Sequence, residues 1–278
     1  MSNSTNIEQE ELWNGSFGKG FIRCEDYLHR IIEPFTRVAI DTVNAQPGDH
    51  ILDVGCGCGS TSISFSQSGA KVRGVDIAER MISQAKEISE GISNVSFHTV
   101  DAAIENFKAE YNHIFSHFGV MFFSDPYAAF SNIRSGLIDK GKITFLCWQG
   151  LLDNEWINSP SEVLQPFFPE DMIPPDPKSP GGFSFADNEY VIDILRSANF
   201  SNIEFQSLNT KFDMGKTTEE LMSLHLDIGP LSVLLESLSK ERGREAIEAV
   251  EKSLERRMKK TGLQLSAAAW LVTAEAKG

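Results

Sequence analysis

The stretch Ile51-Leu52-Asp53-Val54-Gly55-Cys56-Gly57-Cys58-Gly59-Ser60 sets an acid inside an apolar run and follows it with three glycines at alternate positions. Glycines are needed where the backbone turns sharply and a ligand must touch the main chain, because any Cβ would stand in the way. The third glycine of a dinucleotide fingerprint would fall at Ser60, so the spacing does not suit the usual pyrophosphate site, and no Lys follows at the spacing of a nucleoside triphosphate loop. Asp53 would repel a pyrophosphate and attract an ammonium, such as the amino group of a methionine moiety. Asp76 ends the next apolar run, where a carboxylate can accept two hydrogen bonds from ribose hydroxyls. Asp101 ends the run after that and can accept from an adenine amino group, while the Ala102 N–H reaches a ring nitrogen. Any one of these acids also reads as a helix cap or turn residue; three at successive strand ends beside one glycine loop are harder to produce by chance.

Elements that could position these residues alternate along the chain. Strand signals lie at His50–Val54, Lys71–Asp76, Val95–Asp101, His113–His117 and Lys142–Trp148. Helical stripes fall between them, among them Met81, Ile82, Ala85 and Ile88, then Ala128, Ala129, Ile133 and Leu137. Short apolar strands separated by amphipathic helices predict an α/β fold, a doubly wound, mainly parallel sheet, with ligands outside the carboxyl ends of the strands. Seven prolines from Pro160 to Pro180, including Pro174 and Pro175, predict a long loop or cover; a helix at Asn188–Ala198 and a strand at Ile203–Phe212 follow. The expected organisation is an N-terminal helical cap (1–45), a core (46–150), a Pro-rich loop or lid (151–186) and a C-terminal part of the sheet (187–278) with a helical insertion (217–260) before the last strand, Leu265–Thr273.

The 278 residues carry a formal net charge of −14, so a nucleic acid partner would be bound against the overall field and is not expected. The basic run Arg256, Arg257, Lys259 and Lys260 sits where cations offset a helix macrodipole. No apolar stretch is long enough for a secretory signal or a membrane span, which predicts a cytoplasmic protein. Cys56 and Cys58 lack a second Cys or His pair at zinc spacing and read, with Cys24 and Cys147, as reduced buried thiols; no metal is expected.

These residues resemble the pattern of class I S-adenosylmethionine-dependent methyltransferases, and among them the bacterial group similar to the ubiquinone and menaquinone biosynthesis C-methyltransferases. Leu52–Ser60 is similar to the family's glycine motif, Gly74-Val75-Asp76-Ile77 to its ribose acid, and Val100-Asp101-Ala102 to its adenine motif. Ser116–Phe123 followed by Asp125-Pro126 looks like the segment closing the fourth strand; Trp13-Asn14-Gly15, Phe183–Asp187 and Ala268–Val272 extend the likeness over nearly the whole chain. The resemblance implies a Rossmann-like seven-stranded sheet and S-adenosyl-L-methionine as cofactor, leaving S-adenosyl-L-homocysteine. It implies a cofactor set of Asp53, Gly55, Cys56, Gly57, Asp76, Ile77, Met81, Asp101, Ala102 and Ser116, the last through its backbone carbonyl. His117 stands where the subgroup usually has Arg.

Methyl transfer from a sulfonium is an in-line displacement, for which a protein supplies chiefly alignment and exclusion of water. If the acceptor is protonated, His117 is the candidate base, since an imidazole titrates near neutrality; the alternative is a packed strand-end histidine. His225, in the insertion, is a second candidate, or an exposed helix histidine. Trp13, Phe17, Phe21, Phe118, Phe122 and Trp148, with Phe123 and Trp156, crowd the segments expected to cover the site and suit a hydrophobic or aromatic small-molecule acceptor or a sulfonium, though many would equally serve as core. Two other functions share this architecture: a non-catalytic sensor or scaffold that binds the same cofactor, and an NAD(P)-dependent oxidoreductase.

Overall fold

The computed structural model describes residues 6–169 and 176–277, so Pro174 and Pro175 lie outside the described residues. Three helices open the chain: α1 (Ile7–Asn14), α2 (Ser16–Arg23) and α3 (Glu25–Val43). Leu28, Ile31, Phe35 and Ala39 recur at helical spacing on α3 and are its buried positions. The alternation follows as β1 (His50–Val54), α4 (Ser60–Ser66), β2 (Lys71–Asp76), α5 (Glu79–Ile88), β3 (Val95–Thr99), β4 (Tyr111–His117), α6 (Pro126–Arg134) and β5 (Leu137–Trp148). After two one-turn helices, α7 (Glu155–Asn158) and α8 (Ser161–Leu164), come α9 (Asn188–Ser197), β6 (Phe200–Asp213), α10 (Thr218–Asp227), α11 (Pro230–Ser237), α12 (Lys240–Arg257) and β7 (Gln264–Ala276).

The seven strands form one sheet in the order β3-β2-β1-β4-β5-β7-β6. β1 to β5 run parallel, and β7 lies antiparallel between β5 and β6. This is the doubly wound, mainly parallel α/β sheet expected from the alternation of patterns. Two central strands, β1 (all but its first residue) and the end of β5, are buried without alternation, as strands covered on both faces must be. The winding reverses between β1, whose successor β2 lies on one side, and β4 on the other. The crevice beyond the carboxyl ends of β1 and β4 is therefore the place for a ligand.

Two differences from the sequence expectation bear on that crevice. β3 ends at Thr99, so Asp101 stands in the turn beyond the strand and not at its last position. The proline-rich stretch, read as a loop, contains α7 and α8, because its first prolines fall at helix starts and between turns. Buried Asn154 fixes the start of α7: its Nδ2 donates to Gly150 O (3.0 Å) and Ala268 O (3.1 Å), and its Oδ1 accepts from Ala268 N (2.9 Å) and Trp156 Nε1 (3.1 Å). Farther on, Gly181 N (3.1 Å) and Ser184 Oγ (2.7 Å) both donate to Met121 O, tying this segment to the chain after β4. No described helix is long and apolar enough to cross a membrane.

Candidate cofactor and acceptor site

A single cavity opens over the crevice, floored by the loops after β1, β2 and β3 and walled by α1, α3 and the residues after β4 and β5. The glycine loop turns immediately at the end of β1. Gly55 N and Cys56 N both donate to Val75 O (2.9 and 3.1 Å), and Gly55 adopts φ +68°. A Cβ at Gly55 would stand 3.0 Å from Gly119 Cα, so the turn after β1 and the turn after β4 touch through two glycines.

Asp76 faces the cavity and holds the loop in place. Its Oδ2 accepts from Gly57 N (2.8 Å) and its Oδ1 from Ala78 N (2.8 Å), which leaves each oxygen a further lone pair. Burial raises its pKa against the pull of those N–H groups. Asp101 also lines the cavity. Its Oδ1 accepts from Asn6 Nδ2 (2.8 Å) and Ala103 N (2.9 Å), and its Oδ2 is buried with no partner among the described residues. A buried carboxylate oxygen without a donor is costly, but Asp53 Oδ1 is in the same state, so what marks Asp101 for a ligand is its place in the cavity lining.

Ile77, Met81, Ala102, Cys56 and Gly57 also line the cavity. The thiols of Cys56 and Cys58 are pushed up by burial and stay protonated. All four cysteines are free and buried, and the described residues hold no cluster of three or more His, Cys, Asp or Glu suited to a metal ion.

Four expected site residues are not among those lining the cavity, though Ser116 is expected only through its backbone carbonyl. Asp53 does not line the cavity: it is fully buried beneath α4, where Thr61 Oγ1 (2.7 Å) and Ser62 Oγ (2.6 Å) donate to its Oδ2. Its Oδ1 is buried without a donor among the described residues, and desolvation pushes its pKa up to about 6 despite the two bonds to Oδ2. Ser116 is fully buried in β4 and is not a lining side chain. Phe17 packs edge-on against Trp13 (5.3 Å between ring centroids) and beside Phe21 (5.1 Å), backing the wall without reaching the cavity. His225 is neither in the cavity nor exposed; it is buried on α10, both ring nitrogens unpartnered, and its pKa is lowered to about 4 by desolvation.

The other aromatics do converge. Trp13, Phe21, Phe118, Phe122, Phe123, Trp148 and Trp156 line the cavity, and the Phe118 ring stacks on Trp148 at 4.1 Å and 16°. Phe118 takes φ +59°, a left-handed conformation rare for a bulky side chain, as the chain leaves β4. His117 lines the cavity beside it, and burial lowers its pKa to about 3.

α3 supplies a face that the sequence reading missed: Glu25, Leu28, His29 and Ile32 line the cavity, and their spacing of three and four residues was the available signal. His29 Nε2 lies 3.0 Å from Ser60 Oγ, and Glu25 accepts from Gln84 Nε2, so α3 is tied to both the glycine loop and α5. α1 contributes Asn6, whose Oδ1 accepts from Ser124 N (2.9 Å), and Gln9. Asn14 at its end donates to Ile77 O (3.1 Å) and accepts from Glu79 N (3.0 Å).

Comparison with known proteins agrees with this geometry. Residues 51–141 match the model of a methyltransferase domain family. A 23S rRNA (uracil(1939)-C(5))-methyltransferase of Shewanella sediminis is 35% identical over 77 residues, 27% of this chain and 17% of that protein. Aklanonic acid methyltransferase of Streptomyces sp. (strain C5) is 31% identical over 118 residues, 40% of this chain and 54% of that protein. The chain thus spans less than two thirds of either relative. The crystal structure of the YcgJ protein from Bacillus subtilis superposes with a TM-score of 0.58 at 16% identity, covering 87% of this chain and 98% of that one, and so shares the fold. Residues 51–141 thus match a methyltransferase domain model, and the chain shares its Rossmann-like seven-stranded fold with that structure.

Proposed function

We propose that the chain binds S-adenosylmethionine in this cavity and transfers its methyl group to a small hydrophobic or aromatic acceptor. The observation that carries the reading is the pair of acids lining the cavity beside the glycine loop: Asp76, with a free lone pair on each oxygen, and Asp101, in the turn after β3. Two ribose hydroxyls would donate to Asp76, and Asp101 with the neighbouring Ala102 stands where an adenine ring would lie. When bound, S-adenosylmethionine supplies a methyl carbon on a positively charged sulfur. The chain's own work is then positional: the loops after β1, β2 and β3 hold the nucleoside, and Trp13, Phe21, Phe118 and Trp148 exclude water and present ring faces to the cation.

The motif likeness to the quinone-pathway C-methyltransferases does not extend to the acceptor, because His117 stands in place of their Arg. An rRNA acceptor, as in the Shewanella relative's name, is disfavoured by the net charge of −14 and by a cavity whose described lining has no Lys or Arg. A cofactor-binding sensor without turnover is the second reading, favoured by the weak basicity of His117, whose pKa burial lowers to about 3.

Calorimetry with S-adenosylmethionine and S-adenosylhomocysteine on the wild type and on Asp76→Ala tests the cofactor site. Micromolar binding that weakens in the variant is expected; no binding of either ligand by the wild type would sink the reading. Turnover of any acceptor then separates the enzyme from the sensor.

A further inference from the structure

Over β4 and β5, two and three strands across the sheet from Asp76, the cavity is lined by Leu28, Ile32, Met121, Trp148, Trp156 and Ile228, with His29 on α3 and, at the end of β4, His117 as the imidazoles. The orientation of the His117 lone pair follows from its neighbour. Thr36 Oγ1 lies 3.2 Å from Ile32 O and 2.9 Å from His117 Nε2. The hydroxyl has one proton, so both contacts are hydrogen bonds together only when Thr36 donates to the Ile32 carbonyl and the Nε2–H of His117 donates to Thr36. A neutral ring protonated at Nε2 carries its lone pair on Nδ1. Nδ1 has no partner among the described residues and is not one of the polar atoms sealed from solvent, while the ring itself lines the cavity.

The lining is poor in cationic side chains. Its acidic residues are Glu25, Asp76 and Asp101, its imidazoles are His29, beside Glu25, and His117, and no described Lys or Arg joins them. A carboxylate or phosphate brought here would lose its hydration and gain no Lys or Arg in exchange, and with S-adenosylhomocysteine bound no sulfonium either. A neutral molecule would lose little, provided its one polar hydrogen met an acceptor.

We propose, building on methyl transfer as the activity, that the acceptor is an uncharged, largely apolar molecule whose reacting O–H or N–H donates to His117 Nδ1, and that the chamber rejects carboxylated and phosphorylated molecules. Thr36 is the positioning residue that turns Nδ1 toward the chamber. As the acceptor atom forms its bond to the methyl carbon, the carbon–sulfur electron pair stays on sulfur and the acceptor's proton passes to Nδ1. The positive charge that began on sulfur ends on the imidazolium, whose Nε2–H still donates to Thr36, and the proton returns to water between turnovers.

Two measurements on the full chain test this. Nitrogen-15 spectra of the imidazoles, with His117 assigned by loss of its signals in His117→Gln, should give a neutral ring protonated at Nε2 near pH 7, and a mixture of tautomers in Thr36→Val. A charged ring or an Nδ1-protonated ring in the wild type would overturn the proposal. In calorimetry on protein saturated with S-adenosylhomocysteine, naphthol should bind at least about tenfold more tightly than naphthoate or naphthyl phosphate, since an unpaired buried anion forfeits more than that. His117→Gln should weaken naphthol and keep S-adenosylhomocysteine affinity, which shows that the variant is folded. Equal or tighter binding of either anion, or no binding of naphthol, would refute the proposal while leaving methyl transfer standing; failure of S-adenosylhomocysteine to bind would instead remove the functional reading beneath it.

Discussion

The two ends of the cavity are held together by different means. At the nucleoside end, backbone groups meet side chains a few residues away or one strand over: Gly57 N and Ala78 N on Asp76, Ala103 N on Asp101, Val75 O receiving Gly55 and Cys56. At the acceptor end, Leu28 and Ile32 come from α3, His117 from β4, Trp148 from β5, Trp156 from α7 and Ile228 from beyond α10. One end rests chiefly on three adjacent turns in a parallel sheet, joined from the N-terminal segment by Asn6 on Asp101 and Asn14 on Ile77; the other exists only once several distant elements have packed. The first can be held constant while the second changes, which is how one fold serves many acceptors.

Substitutions at each end should therefore separate. The largest effect is expected for Asp76→Ala, which deletes the ribose acceptor and frees Gly57 N: S-adenosylhomocysteine affinity should fall roughly a hundredfold, about 2.7 kcal/mol. An unchanged titration would mean that the nucleoside end lies elsewhere. At the other end, Asn154→Ala leaves Ala268 N and Trp156 Nε1 without an acceptor. Denaturant unfolding should register a loss of about 2 kcal/mol, and S-adenosylhomocysteine affinity should change by less than about twofold, because sites without shared partners act independently. A parallel loss of cofactor affinity would show that the two ends are coupled.

The smallest effect at neutral pH comes from the buried histidines, and it changes with acid. His113, His117 and His225 are buried with pKa values lowered to about 4, 3 and 4. Above the unfolded value near 6.5 they are neutral in both states and contribute nothing to pH dependence. As pH falls below about 6.5 the unfolded chain takes protons that these rings refuse when folded, so stability is lost, at most about 1.4 kcal/mol per pH unit for each ring. Asp53, raised to about 6, and Asp76, also raised, act in the opposite sense, since the folded chain takes their protons first. His225→Phe removes one ring that makes no hydrogen bond. It should raise stability at pH 7 by about 1 kcal/mol through loss of unsatisfied polar atoms, and flatten the decline between pH 6.5 and 4. An unaltered slope would show that His225 is solvated or paired in solution.

The same contrast explains what could be read from the amino-acid sequence. Strand and helix periods, the glycine loop and Asp76 follow local rules and stand where those rules put them, while Asp101 lines the cavity from the turn beyond β3 and not from its last position. Asp53 obeyed the same pattern but faces the other way, because Thr61 and Ser62 at the start of α4 fold back and claim it. The hydroxyls were visible in the sequence; their direction was not. His225 and Phe17 were assigned by residue type alone, and type does not say which neighbour a helix face meets. Conversely, the Glu25, Leu28, His29 and Ile32 face of α3 has clear helical spacing, yet nothing local marks it as facing a cavity and not a core, as Ile31 and Phe35 do.

Phe118 illustrates a last consequence. Its left-handed backbone raises the energy of the folded chain by about 1–3 kcal/mol, a cost met once, during folding, by the stack on Trp148 and the packing around it. A ring already fixed before any ligand arrives surrenders no rotamer freedom when one binds, whereas ordering a free side chain at an interface costs about 0.5–1.5 kcal/mol each time. The strain at this one residue thus transfers an entropic penalty from every binding event to a single folding event.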